Sequence, residues 1–227
     1  MTDNTQDRIW LSMHLLSETC FSRGDGVPGI VDTEVKHDPR GMPYLAGRTL
    51  KGLLHAEAAA IMRSLSQMNA SAGPRWQNAA VALFGKPGSR SQGGALHVGD
   101  ARLPEAVRTQ LVLQGGLTPA DVLDTLTTIR RQTKIDPETG APQENTLRAV
   151  RVILRDIAFY APLTFLGHTD IAREDLLAFL AACGKALRHA GSNKTRGYGL
   201  VQIDLAQTEA GESKLEEWFR PFKEGVQ

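Results

Sequence analysis

The stretch Asp32-Thr-Glu-Val-Lys-His-Asp38-Pro-Arg-Gly41-Met-Pro43-Tyr-Leu-Ala-Gly47-Arg-Thr-Leu-Lys51-Gly52 decides how the rest of the chain is read. Asp32 and Asp38 precede a Pro-Arg-Gly turn, and Gly47 and Gly52 bracket the start of a run with Leu50, Leu53, Leu54, Ala58, Ile61 and Leu65 at helical spacing. That spacing predicts an amphipathic helix from Thr49 to about Gln67 with its apolar stripe on a core. The first turn of such a helix carries unpaired backbone N–H groups, here beside Arg48 and Lys51. Two cations at the positive end of a helix dipole repel it unless an anion lies nearby, so the segment reads as an anion site.

Upstream, Arg8 to Leu16 alternates apolar and polar residues as a strand does. Ser22 to Ala46 is irregular, with four glycines and three prolines, and reads as a mobile loop carrying the acids. Downstream, Ala95 to Leu103 and Ala149 to Leu163 read as strands, the second broken near Pro162. Arg173 to His189 reads as a helix and Leu200 to Leu205 as a final strand. The order strand, helix, strand, strand, helix, strand defines an α+β fold of the ferredoxin-like βαββαβ pattern, shared with RNA-recognition modules. Between the middle strands lies the insertion Pro104 to Arg148, too long for an ordinary loop and therefore a candidate functional projection. Within it Leu117-Thr-Pro-Ala-Asp-Val-Leu-Asp-Thr-Leu126 predicts a short capped helix. Only Met1 to Gln6 and the tail after Phe222 are expected to be disordered.

A second glycine-bordered segment, Gly191-Ser-Asn-Lys194-Thr-Arg196-Gly197-Tyr198-Gly199, lies between the second helix and the last strand. Glycine lets main-chain N–H groups approach an anion closely, so this segment reads either as a phosphate cradle or as a plain turn.

At 227 residues and 41% hydrophobic content, the chain is long enough for one elaborated domain, residues 1–227. A formal net charge of +1 is not the overall basic balance of a dedicated nucleic-acid binder, so cations must be local to one face if they meet phosphate. Cys20 and Cys183 are too few for a structural zinc site and read as reduced thiols. No apolar stretch approaches the roughly 20 residues that span a membrane, and a soluble cytoplasmic protein is expected.

Together the two glycine-bordered segments resemble the RAMP superfamily of CRISPR-associated proteins. The resemblance rests on Gly47-Arg-Thr-Leu-Lys-Gly52, matching G-x-[ST]-L-K-G, and on the loop Gly191 to Gly199. It is closest to the repeated Cas-seven-like backbone subunit of type III effector complexes, of Csm-three type, where Asp32, Asp38, Pro43 and Gly47 fall in the family's places. Leu83-Phe84-Gly85, the approach Gly94 to Asp100 and the segment Ile135 to Leu147 extend it over nearly the whole chain.

The resemblance implies a subunit that binds CRISPR guide RNA, assembles with copies of itself and other effector subunits, and cleaves complementary target RNA as a metal-dependent endoribonuclease. It assigns the catalytic and metal-holding role, with Mg²⁺ or Mn²⁺, to Asp32, through attack by a ribose 2′-hydroxyl. From the residues alone Asp32 reads as a loop cap, and Asp38, beside Pro39 and Gly41, as a turn former. Arg48, Lys51, Lys194 and Arg196 are the candidate RNA-backbone contacts, with Gly47, Gly52, Gly191, Gly197 and Gly199 shaping the backbone around them. Tyr198 either stacks a base or packs in the core. Arg130, Arg131 and Lys134 lie in the insertion, which the resemblance makes a thumb between guide and target strands and which otherwise is a solvated charged loop. A non-catalytic guide-binding scaffold is the alternative function. A metal-independent ribonuclease using His14, His37 or His55 is a third reading.

Overall fold

The computed structural model describes residues 8–68, 71–86, 93–143, 145–167 and 169–226. Met1 to Gln6 lies outside the described residues.

Strand β1 (Arg8–Leu15) buries Ile9, Leu11, Met13 and Leu15 while the residues between them stay partly exposed, so one face of the strand belongs to the core. It runs antiparallel between β5 (Ala158–Phe165) and β6 (Val201–Ala206), and the short strand β2 (Leu96–Val98) pairs antiparallel with the far side of β5. The sheet order is β2-β5-β1-β6. Leu11 lies opposite Ala161 on one side and Leu205 on the other, and all three are fully buried. Helices α1 (Gly47–Gln67) and α5 (Arg173–Ala186) pack together, α1 against β2 and α5 against β6. A buried side chain of Leu size contributes roughly 1.5–3 kcal/mol to such a core. Helix α5 buries Leu176 and the unbroken run Ala178 to Gly184, because helices close on it from several sides.

Two of those helices were not read from the sequence. Helix α2 (Gly73–Phe84) starts with Pro74 in its first turn, and α6 (Leu215–Val226) packs along α5. Trp76 of α2 lies with its ring centroid 6.4 Å from Phe179 and 4.9 Å from Phe222. The expectation of disorder after Phe222 is therefore corrected: Phe222 is an anchor of the aromatic cluster, and the helix continues to Val226. Cys20 and Cys183 are both free and buried, and burial pushes both thiols up. No helix of the described residues is long and apolar enough to cross a membrane.

Pro162 does not break its strand. It pairs with Trp10 inside β5, and its carbonyl accepts from the Gly99 N–H at 2.8 Å. In an antiparallel strand a residue's N and C=O point to the same neighbour, so the missing N–H of Pro162 faces just past the end of β2. The interruption falls instead on the partner: the expected strand Ala95 to Leu103 stops at Val98, and pairing resumes where Arg102 bridges Tyr160. Gly99 is needed there because a Cβ would sit 2.6 Å from the Pro162 ring.

The expected strand Ala149 to Leu163 is two strands. β4 (Arg148–Ile153) leaves the main sheet to pair antiparallel with β3 (Thr127–Gln132), and the chain turns at Asp156, which has φ 65°. Aspartate tolerates that left-handed conformation better than most residues. Between β2 and β3 the insertion builds α3 (Glu105–Leu113) and α4 (Pro119–Leu126), the latter opened by a reciprocal Thr118–Asp121 capping box with Pro119 in the first turn. The insertion is thus a helical and hairpin layer rather than a loop.

Candidate nucleic-acid interface

The β3–β4 hairpin and the glycine loop meet in one cleft. Its volume is about 830 Å³ and its lining comes from three separate parts of the chain: Thr33, the hairpin residues Gln132, Thr133, Lys134, Thr146, Arg148 and Val150, and Asn193 and Arg196. Gln132 joins the two walls, donating to the Tyr198 hydroxyl at 3.0 Å and accepting from Arg196 Nη1 at 3.0 Å. Thr146 crosses the hairpin, with its hydroxyl accepting from the Lys134 N–H at 3.1 Å. At the tip Asp136 Oδ1 accepts from the N–H groups of Glu138 and Thr139; those bonds hold its carboxyl below the usual range and fix the turn.

The loop from Ser22 to Ala46, expected to be mobile, is tied across β4. Asp32 N–H donates to the Ala149 carbonyl at 2.8 Å, and Ala149 N–H donates back to Asp32 Oδ2 at 2.7 Å. Beneath it the buried Glu34 carboxylate takes Arg151, whose guanidinium also reaches Asp124 at 2.6 Å and the Thr127 hydroxyl at 3.2 Å. Leaving Glu34 unpaired at 2% exposure would cost several kcal/mol, roughly 3–5. Asp32 is exposed, adjoins the cleft residue Thr33 and is bonded beside the cleft residue Arg148. Its Oδ1 has no hydrogen-bond partner among the described residues.

Loop 191–199 owes its glycines to geometry. Gly191 (φ 87°) and Gly199 (φ 77°) hold the loop against β1's exit: a Cβ on them would lie 2.6 Å from the Cys20 carbonyl and 2.1 Å from the Ala190 carbonyl. Ser192 N–H donates to Cys20 O and Gly199 N–H to Glu18 O, so these N–H groups anchor the loop rather than line a cradle. Between the anchors a short 3-10 turn (Lys194–Arg196) exposes both cations. Tyr198 is half-buried, packed on the core and hydroxyl-bonded to Gln132, which favours the packing reading over base stacking.

The α1 start differs from expectation. Gly47 N–H donates to Asp100 Oδ1 at 3.0 Å, so the anion at this helix end belongs to the chain itself. Partial burial pushes the Asp100 carboxyl up, but hydrogen bonds from Arg102 and Gly47 and the charges of Arg102 and Lys36 outweigh it and hold it below the ordinary range. Lys51 turns inward: its amine donates to the Leu96 carbonyl at 2.6 Å, and burial lowers its pKa. Arg48 remains exposed, and Gly52 has open space around it, whereas a Cβ on Gly47 would meet the Val98 carbonyl at 2.1 Å.

Arg130 pairs with Glu18, its Nε donating at 2.9 Å, and so ties the hairpin to β1's exit. Arg131 is exposed on the alternate face of β3. Asp38 is a turn former, with Oδ1 accepting from the N–H groups of Arg40 and Met42. His14, His37 and His55 do not converge: His14 lies 4.0 Å from Asp156, His37 Nδ1 lies 3.0 Å from the Asp38 carbonyl, and His55 stacks on Phe84. Among the described residues no group of three or more His, Cys, Asp or Glu is placed to hold a metal ion. Gln132, Thr146, Arg148, Asn193 and Asp100 were not singled out from the sequence, because their roles depend on which strands become neighbours.

The described residues thus form an α+β fold with an antiparallel sheet of order β2-β5-β1-β6 and a cationic cleft between a side hairpin and a glycine loop. The family model of the RAMP superfamily matches residues 14–202, and the chain belongs to that superfamily. A search of curated proteins by sequence finds no match. Among solved structures, a chain of the type III-B Cmr-beta complex bound to cognate target RNA aligns with TM-score 0.63 and 11% identity, over 93% of this chain and 98% of that one. A chain of the same complex in the apo state aligns with TM-score 0.63 and 10% identity, over 89% and 98%. At these identities the likeness is one of fold.

Proposed function

We propose that the chain is a guide-RNA-binding backbone subunit of a CRISPR type III effector complex, acting in the cytoplasm, and that Asp32 makes it a target-RNA endoribonuclease. The family membership and the fold shared with Cmr-beta chains support the complex. The element order β1, α1, β2, β5, α5, β6, with its all-antiparallel sheet, supports a ferredoxin-like core for a single domain spanning residues 1–227. Its partners are then guide RNA, complementary target RNA, further copies of itself and the other effector subunits.

The observation that carries this reading is the cleft, where Lys134, Arg148 and Arg196 face one groove beside Asp32. Phosphate contacts from such cations position RNA without reading its bases. Lys194 and Arg131 are exposed cations next in sequence to the cleft residues Asn193 and Gln132, Arg48 is exposed at the start of α1, and the hairpin tip from Thr133 to Leu147 is the thumb-like projection of the insertion 104–148. Lys51 and Arg130 serve the fold in this reading, since both are engaged internally.

For cleavage, the ribose 2′-hydroxyl attacks the adjacent phosphorus, its proton passes to a base, and the bond to the 5′-oxygen breaks. The leaving 5′-oxygen takes up a proton from solvent water, and the products are a 2′,3′-cyclic phosphate and a 5′-hydroxyl. Asp32 Oδ1 is the proton acceptor, held in place because Oδ2 stays on the Ala149 N–H. A divalent cation such as Mg²⁺ or Mn²⁺ would supply charge neutralisation at the phosphate when bound. The one free carboxylate oxygen would hold such an ion, jointly with RNA phosphates and water, as the alternative to taking the proton itself.

The test is cleavage of labelled target RNA by the assembled complex with Mg²⁺. Asp32→Ala is expected to lower cleavage at least about 10²-fold with RNA binding retained. The scaffold reading is favoured by the bond that already occupies Asp32 Oδ2, which is also what a purely structural loop tie would need. Cuts that survive Asp32→Ala, or wild-type binding without cuts, would establish the scaffold.

A further inference from the structure

A second cationic pocket lies outside the cleft and shares none of its lining residues. Its wall carries three arginines, Arg40, Arg102 and Arg108, one acid, Asp38, and His37 and Tyr44, and its volume is about 420 Å³. Three pieces of chain build it. The 36–44 turn closes on itself through the His37–Pro43 bridge; segment 100–102 is held to Leu45 on one side and Tyr160 on the other; Arg108 reaches across from α3.

Its charges are unevenly spent. Asp100 is taken by Arg102 and the α1 start, and Asp38 Oδ1 by two backbone N–H groups. Arg102 and Lys36 both lie over the Tyr44 ring, each 5.3 Å from its centroid. Arg108 donates its Nε to the Leu103 carbonyl at 3.0 Å, which aims the guanidinium but leaves its other nitrogens without a partner among the described residues. The Arg40 guanidinium and the Lys36 amine also have no hydrogen-bond or ion-pair partner among the described residues. Arg102 has its carboxylate in Asp100 and the pocket wall carries one acid, Asp38, but Arg40, Lys36 and the outer nitrogens of Arg108 have none among the described residues, so cations outnumber carboxylates around the concavity and repel one another unless a further anion sits between them. A phosphate oxygen set matches guanidinium forks in number and geometry.

We propose that this pocket binds a phosphate group of single-stranded RNA, giving the chain a second RNA-binding point separate from the cleft; the choice of RNA as its source rests on the function proposed above. Arg40 and Arg108 supply the charge-assisted hydrogen bonds, Lys36 adds field, and Tyr44 fixes the two cations above its ring.

The test is binding of labelled single-stranded RNA, as 5′-hydroxyl and 5′-phosphorylated strands, to the full chain over a range of salt. Arg40→Gln, Arg108→Gln, the double variant and the cleft variant Arg196→Gln are compared with wild type. Arg40 makes no side-chain bond in the fold, so its variant stays informative if Arg108→Gln loses stability. Arg40→Gln and the double variant are expected to weaken binding roughly fivefold to tenfold, and to flatten the salt dependence by about 0.7 in log–log slope for each phosphate the variant no longer neutralises. Weakening on both strands assigns the pocket to backbone phosphodiesters, and weakening confined to the 5′-phosphorylated strand assigns it to a terminal phosphate. Unchanged affinity and slope in the pocket variants, with Arg196→Gln still impaired, overturns the pocket and leaves the proposed function standing. No RNA binding by the wild type overturns both.

Discussion

The start of α1 and the loop 191–199 carry the same kind of sequence, cations bracketed by glycines, and the fold treats them in opposite ways. At α1 the chain supplies its own anion, Asp100, and turns Lys51 inward onto Leu96. In the loop the backbone is anchored at both ends by Gly191 and Gly199, while Lys194 and Arg196 are left exposed and Arg196 faces the cleft. Gly47, Gly191 and Gly199 therefore mark close backbone approach in both places, but the lysine of the first is spent inside the fold, whereas both cations of the second stay exposed.

The sharpest way to break this contrast is at the loop's anchor. Gly199→Ala combines a positive φ with a Cβ 2.1 Å from the Ala190 carbonyl, and is expected to lower stability by about 2–4 kcal/mol in denaturant unfolding. Less than about 1 kcal/mol would mean that the loop is not anchored as described. Next, Lys194→Glu with Arg196→Glu is expected to leave the unfolding midpoint nearly unchanged and weaken single-stranded RNA binding by roughly tenfold to a hundredfold. Lys51→Met should do the reverse, costing about 1 kcal/mol of stability with little change in affinity. If Lys51→Met abolished RNA binding without destabilising the fold, the distinction between the two regions would fail.

Asp100→Asn is expected to cost about 1 kcal/mol at neutral pH, measured by thermal unfolding. The sign of its pH dependence follows from a folded pKa held below the unfolded one. The charged form's contribution is present above the ordinary carboxylate pKa of about 3.9 and is lost as pH falls through the lower folded value. Wild type should therefore lose its advantage over Asp100→Asn between about pH 5 and pH 2, and a constant difference across that range would remove Asp100 from the helix start. The smallest effect has the opposite direction: Gly52→Ala, in open space within α1, is expected to stabilise by about 0.5–1 kcal/mol.

What could be read in advance followed local rules. The apolar stripe of α1, the alternation of β1, the Thr118–Asp121 capping box and the Asp38 turn depend on residues within a few positions of one another, and each stands as read. The errors came where a distant partner decided. Pro162 looked like a strand breaker because its missing N–H could not be seen to face the end of β2. Ala149 to Leu163 reads as one strand, broken only near Pro162, because nothing local announces that its first half pairs with Thr127 to Gln132. Asp32 was recognisable from its motif, but its tie to Ala149 was not.

By itself, then, the sequence determined the superfamily, the amphipathic elements and the glycines that only close backbone approach can explain, because these are written in spacing and residue type. The tertiary structure alone decided which cations are spent and which are free. That depends on whether a carbonyl such as that of Leu96 or a carboxylate such as Asp100 is brought within hydrogen-bond reach, and those partners lie dozens of residues away along the chain.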